Sequence, residues 1–171
     1  MTVTRMDVLT TLEEIQKEFP HFRVIPKPWT SKRNGPTIGY WMFVGTPWAE
    51  ATPFQQCLTL AHEFEHMCQY RMMGLGSTLL GILPYLIAYC FLPFPVWFAY
   101  CRWKFETEAF LAEMRAYARL DSPDALRSRT GHYQKQFRGK GYYWWAWPWK
   151  SAIENWVSTA IELAIYQEGL H

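Results

Sequence analysis

The chain has 171 residues, enough for a single domain over residues 1–171 that buries a substantial core. Its formal net charge is +2, too small to support a nucleic-acid partner, and none is expected. Half of the residues are hydrophobic and 18% are aromatic, high for a small soluble enzyme, so the chain must place large apolar surfaces somewhere. Cys57, Cys68, Cys90 and Cys101 lie in apolar surroundings without a C-x-x-C pairing and read as buried thiols of a reducing compartment. Met1 to Glu18 carries internal charges and no apolar h-region, so no secretory signal is expected. The expected location is the cytoplasm or the cytoplasmic face of a membrane.

In chain order, Val8 to Phe19 reads as an amphipathic helix. Phe22–Ile25 and Thr37–Val44 read as strands of a small antiparallel sheet, separated by the turn-rich Lys32-Arg33-Asn34-Gly35-Pro36. The second strand could serve as a cleft edge that pairs with an extended peptide, or could be an ordinary structural hairpin. Thr52-Pro53 then marks a helix start, with Thr52 as N-cap and Gln55 at the capping-box position. No Pro or Gly intervenes before Gly74, so the helix runs to Met73 for about five turns. Cys57, Leu58, Ala61, Phe64 and Cys68 form its expected core-facing stripe.

Near the middle of this helix stands His62-Glu63-Phe64-Glu65-His66, a complete H-E-x-x-H. Histidines four apart share one helix face and can hold one zinc ion, and the glutamate between them can act as general base on a bound water. A catalytic zinc needs a third protein ligand and an open position. The segment Arg102–Tyr117 is helical by composition, and Glu106 and Glu113 lie in its apolar stripe with Phe110, Met114 and Tyr117. Glu108 falls on the more polar side. A carboxylate on a buried face needs compensation, which a metal supplies, so Glu106 is the preferred third ligand and Glu108 the alternative. Glu113 is a candidate for orienting a ligand histidine.

From Met72 to Cys101 there is no charged residue, a run of about 30 positions. Gly74, Gly76, Gly81, Pro84, Pro93 and Pro95 cut it into arms too short to span a bilayer separately. Two readings stand side by side. One is a hydrophobic hairpin buried against the motif helices. The other is a hairpin dipping into a membrane surface, held by Arg71, Arg102 and Lys104. Further on, Ser122-Pro123 opens a helix, and a last helix runs from about Ser151 to Gln167 with Ile153, Trp156, Val157, Ala160, Ile161 and Ala164 inward. Tyr142, Tyr143 and His132 are candidates for polarising a substrate carbonyl, against plain aromatic packing. Arg127, Arg129, Lys135, Arg138 and Lys140 form a solvated face or a contact for anionic lipid.

The string Leu60-Ala61-His62-Glu63-Phe64-Glu65-His66-Met67-Cys68-Gln69, with Glu106-Thr107-Glu108-Ala109 on a later helix, resembles the gluzincin zinc metallopeptidases. The H-E-x-x-H-x-x-Q form, the E-x-E-A-[FY] segment and Trp147-Pro148 look most like the small SprT-like metallopeptidases, many of them encoded by phages and prophages. The resemblance covers about residues 35–150. It implies His62, His66 and Glu106 as ligands of one Zn²⁺, Glu63 as base, and a protein or peptide substrate. Some membrane gluzincins carry an Asp directly after the E-x-x-A alanine, contacting a ligand histidine. Here that position is Phe110, which leaves the role to another residue such as Glu113. The expected fold is α+β and mostly α: a small sheet, then a zincin-like helical core with the hairpin of about residues 72–101 inserted between the metal-binding helices. The alternative function is a non-catalytic zinc-binding structural or assembly protein, of a virion or a membrane complex.

Overall fold

The structure is a computed structural model that describes residues 3–27, 37–91, 95–138 and 150–170; for residues 5, 90, 91 and 95–100 it describes the backbone alone. The fold is α+β and mostly α, as expected. The chain divides into two compact units, residues 1–86 and 87–171, and the division falls inside the uncharged run.

In the first unit, α1 (Arg5–Glu18) begins at Thr4, whose backbone N–H donates to the Asp7 carboxylate at 2.6 Å. That bond, with a second from the Thr4 hydroxyl, holds the Asp7 carboxyl below its usual range. Phe19 and Phe22 then turn inward and are buried. Three short strands follow: β1 (Arg23–Pro26), β2 (Thr37–Ile38) and β3 (Trp41–Val44). The expected second strand is broken by Gly39, which takes φ +61°, a conformation glycine adopts without a Cβ penalty. The order is β1-β3-β2. The sheet is mixed rather than antiparallel, because β1 pairs β3 in parallel, Arg23 opposite Trp41, while β2 pairs β3 antiparallel. β3 is paired on both sides at Trp41 and Met42, and β1 and β2 are the outer strands.

A one-and-a-half-turn helix, α2 (Thr46–Glu50), leads into α3 (Pro53–Met73). The long helix has the expected bounds. Thr52 Oγ1 accepts from the Gln55 N–H at 3.3 Å, and the Gln55 side chain accepts from the Thr52 N–H at 3.0 Å. Its buried face differs from the expected stripe. Cys57 and Leu58 are buried, but Ala61, Phe64 and Cys68 are half-buried, while Leu60, Met67, Gln69, Tyr70 and both histidines, outside that stripe, are buried. The cause is α4 (Thr78–Leu86), which packs on that side of α3.

The close fit of α3 and α4 rests on two glycines. A Cβ on Gly81 would lie 1.6 Å from the Tyr70 carbonyl oxygen, and one on Gly74 would lie 1.9 Å from that of Ser77. Both are backbone atoms that cannot swing away. The α3–α4 corner is bent by 94°, and no single helix among the described residues is long and apolar enough to cross a membrane.

In the second unit, a π-helical turn (Ile87–Phe91) precedes α5 (Pro95–Leu120), followed by α6 (Pro123–Ser128), α7 (Thr130–Arg138) and α8 (Lys150–Gln167). The Ser122 hydroxyl caps α6 by accepting from the Ala125 N–H at 3.2 Å. α8 buries Ile153, Val157, Ala160, Ile161 and Ala164 as expected, with Trp156 half-buried. An aromatic core joins α5, α7 and α8: Phe110 lies 4.6 Å from Phe137, and Phe137 lies 4.8 Å from Trp156, centroid to centroid. Three of the five basic residues expected on a solvated face have local partners. Arg127 makes two bonds to Glu162 at 2.9 and 3.0 Å, Arg138 pairs with Glu154, and Arg129 Nε donates to the Tyr117 hydroxyl at 3.4 Å. Such exposed pairs add little stability. Lys135 is exposed, and Lys140 lies outside the described residues. Cys57, Cys68 and Cys101 are free thiols, and burial beside Glu65 pushes the Cys68 thiol up to about 11.

Replacing Gly81 by Ala is expected to destabilise the protein by about 1–3 kcal/mol or more, because the methyl group meets backbone. Gly131→Ala, in α7 with open space around the added carbon, should leave stability unchanged or raise it by up to about 1 kcal/mol. Urea unfolding of the two variants checks this. Equal midpoints would show that the glycine contact does not hold the corner.

Candidate metal-binding site

The helical repeat places His62 and His66 one above the other on the buried face of α3. Their rings meet edge to face, with centroids 4.9 Å apart, and the two Nε2 atoms are 3.2 Å apart. Two imidazole nitrogens that share a tetrahedral zinc ion, at bond lengths of about 2.0–2.1 Å, lie about 3.3 Å apart. The pair therefore fits such an ion with almost no side-chain movement.

The tautomer of His66 is set from behind. Its Nδ1 lies 2.9 Å from Gln69 Oε1 and 3.0 Å from the Tyr85 hydroxyl oxygen. The amide oxygen only accepts, so Nδ1 carries the proton and the Nε2 lone pair faces His62. Gln69 sits three residues on, on the same helix face. Tyr85 comes from α4, with its ring 4.2 Å from that of Tyr70. Tyr70 donates in turn to the Thr37 carbonyl at 2.9 Å, which ties this end of α3 to β2. Glu63 is half-buried beside the pair in sequence, rotated by about 100° around the helix from His62.

In the second unit, Glu106 is 2% exposed on α5. The Tyr89 hydroxyl donates to Glu106 Oε1, and the Arg102 guanidinium lies 4.5 Å from the centre of the Tyr89 ring. Burial, then the charge of Glu106, pushes the Tyr89 phenol far up, so it stays a donor at all physiological pH values. Glu108 behaves differently. It is about one third exposed and pairs with Lys104 at 2.9 Å, four residues earlier. The distinction between a buried and a solvated glutamate thus follows the helix stripe expected from the sequence.

Glu113 is half-buried and accepts from the Tyr133 hydroxyl at 3.1 Å. His132 is exposed on α7, its pKa lowered by partial burial and by Arg129. Tyr142 and Tyr143 lie outside the described residues, as does Trp147-Pro148. Two residues that sequence reasoning passed over are Tyr85 and Tyr89. Both stand in the uncharged run, and their signal was available: hydroxyl groups inside an otherwise apolar stretch need buried partners.

Comparison with protein-family models, with curated proteins and with solved structures found no match to this chain. The functional reading therefore rests on the residues themselves.

Nitrogen-detected NMR of the metal-free protein should find His66 in the Nδ1–H tautomer. Gln69→Leu, which removes the acceptor while keeping the volume, should raise the Nε2–H population. A wild-type His66 protonated mainly at Nε2 would show that Gln69 does not set the tautomer.

Proposed function

We propose that the protein is a zinc-dependent metallopeptidase. In this reading His62, His66 and Glu106 hold one Zn²⁺, and Glu63 is the general base. The observation that carries the reading is the 3.2 Å separation of two Nε2 atoms, one of them aimed by Gln69 and Tyr85. The donor set is two imidazoles and a carboxylate, the set of catalytic rather than structural zinc. Structural sites favour thiolates, and Cys57 and Cys68 occupy other positions on the same helix. Glu106 suits a ligand role because it is buried and its Oε1 is oriented by the Tyr89 hydroxyl.

When bound, the ion supplies Lewis acidity toward a water molecule and a peptide carbonyl. The chain's own work is positional and protonic. His62 and His66 are held rigidly by helix packing. Glu63 takes the proton of the attacking water and passes it to the departing amine as the C–N bond breaks. Half-burial suits that task, since the carboxylate must reach both water and substrate.

Glu63→Ala is expected to keep zinc and lose peptidase activity by a factor of about 10²–10⁴, while His62→Ala should lose the metal. Activity on a casein or peptide-library substrate and zinc content by atomic emission measure the two separately. A Glu63→Ala protein with undiminished hydrolysis would sink the catalytic claim. A wild type that binds zinc and cleaves nothing would favour the non-catalytic alternative. Glu106→Gln should weaken zinc binding at least about tenfold, whereas Glu108→Gln should not. The reverse pattern would move the third ligand to Glu108.

A further inference from the structure

Glu106 is positioned from outside its own helix. Tyr89 stands in the π-helical turn Ile87–Phe91, which packs on α5. Such turns are rare and are found frequently at functional sites. Arg102 and Glu106 are four residues apart on α5 and share one face of it. Tyr89 meets both. The Arg102 guanidinium lies 4.5 Å from the centre of its ring, and its hydroxyl donates to Glu106 Oε1. A phenylalanine would offer the guanidinium the same kind of aromatic face. What the tyrosine adds is the hydroxyl, and the hydroxyl is the part that reaches Glu106.

That bond restricts the carboxylate. A glutamate side chain turns about three bonds, and its two oxygens can ligate an ion singly or together. A hydroxyl donating to an ionised carboxylate oxygen makes one of the stronger hydrogen bonds. Glu106 is 2% exposed, so water does not readily take the place of the hydroxyl. Giving both oxygens to an ion would mean sharing or breaking the bond. Ligation through one oxygen keeps it.

The difference decides what the site can do. Protein-bound zinc is most often four-coordinate. Two imidazoles and one carboxylate oxygen leave one position for water, as a catalytic site requires. Two imidazoles and both carboxylate oxygens fill the shell. One hydroxyl group thereby separates an open centre from a closed one.

We propose that Tyr89 is a positioning residue of the metal site. Its hydroxyl restricts Glu106 to ligation through one oxygen and so keeps a coordination position open for water. The proposal rests on the reading of His62, His66 and Glu106 as the ligands.

The test uses the full chain, stripped of metal and reloaded with Co²⁺, whose visible absorption reports its coordination. Azide serves as the probe for an open position. Wild type should bind Co²⁺ and shift its absorption when azide is added. Tyr89→Phe should still bind the metal, with affinity lowered by about 10–100-fold at most. Its absorption should differ from wild type, and the azide shift should be lost. Arg102→Gln disturbs the same packing but leaves the hydroxyl, and should keep the shift. A Tyr89→Phe protein with the wild-type absorption and azide shift would overturn the proposal. So would one that loses metal as completely as Glu106→Gln, because Tyr89 would then anchor Glu106 without choosing its mode of ligation. Loss of the shift in Arg102→Gln would assign the effect to packing and overturn it equally. A wild type that binds Co²⁺ without responding to azide would overturn it whether or not Tyr89→Phe folds. A wild type that takes up no metal would instead remove the ligand reading itself, and the proposal with it.

Discussion

The backbone contact between Gly81 and the carbonyl of Tyr70 organises the first unit. With no Cβ on either Gly74 or Gly81, α4 can lie directly on α3 at its C-terminal end. Any larger residue would hold the helices apart. At that distance Tyr85 sits beneath α3, with its ring against Tyr70 and its hydroxyl within 3.0 Å of His66 Nδ1. A helix–helix separation set by two hydrogens is thereby read out as the orientation of a histidine.

The same contact sorts the apolar residues of the corner. A helix packed on one side only must leave its other side to solvent or to something outside the chain. In α4 the packed side holds small and aromatic residues, and the outer side holds leucines. The arrangement places the hydroxyl that meets His66 and the exposed leucines on opposite faces of one short helix.

Glu106 and Glu108 illustrate how half a turn of helix can separate two environments. They differ by two positions, which is about 200° of rotation. Glu108 reaches back to Lys104 and is a surface ion pair of small energetic consequence. Glu106 is buried and receives a hydroxyl hydrogen bond from Tyr89, whose own ring carries the Arg102 guanidinium. A buried carboxylate is costly to hold without such partners.

Local physics was legible in the sequence. The bounds of α3 follow from Thr52, Pro53, Gln55 and Gly74, and the shared face of His62 and His66 follows from helical spacing alone. The split between Glu106 and Glu108 also follows from periodicity. The face of α3 that is buried did not, because Ala61, Phe64 and Cys68 are as apolar as the residues that won. Which side of a helix is covered depends on where a distant segment packs, and α4 lands on the histidine side. The parallel pairing of β1 with β3 was likewise invisible, since alternation within a strand says nothing about its neighbour's direction. Tyr85 and Tyr89 acquired their roles for the same reason. A hydroxyl group in an apolar run announces that it needs a partner, but only tertiary packing brings that partner within hydrogen-bonding distance.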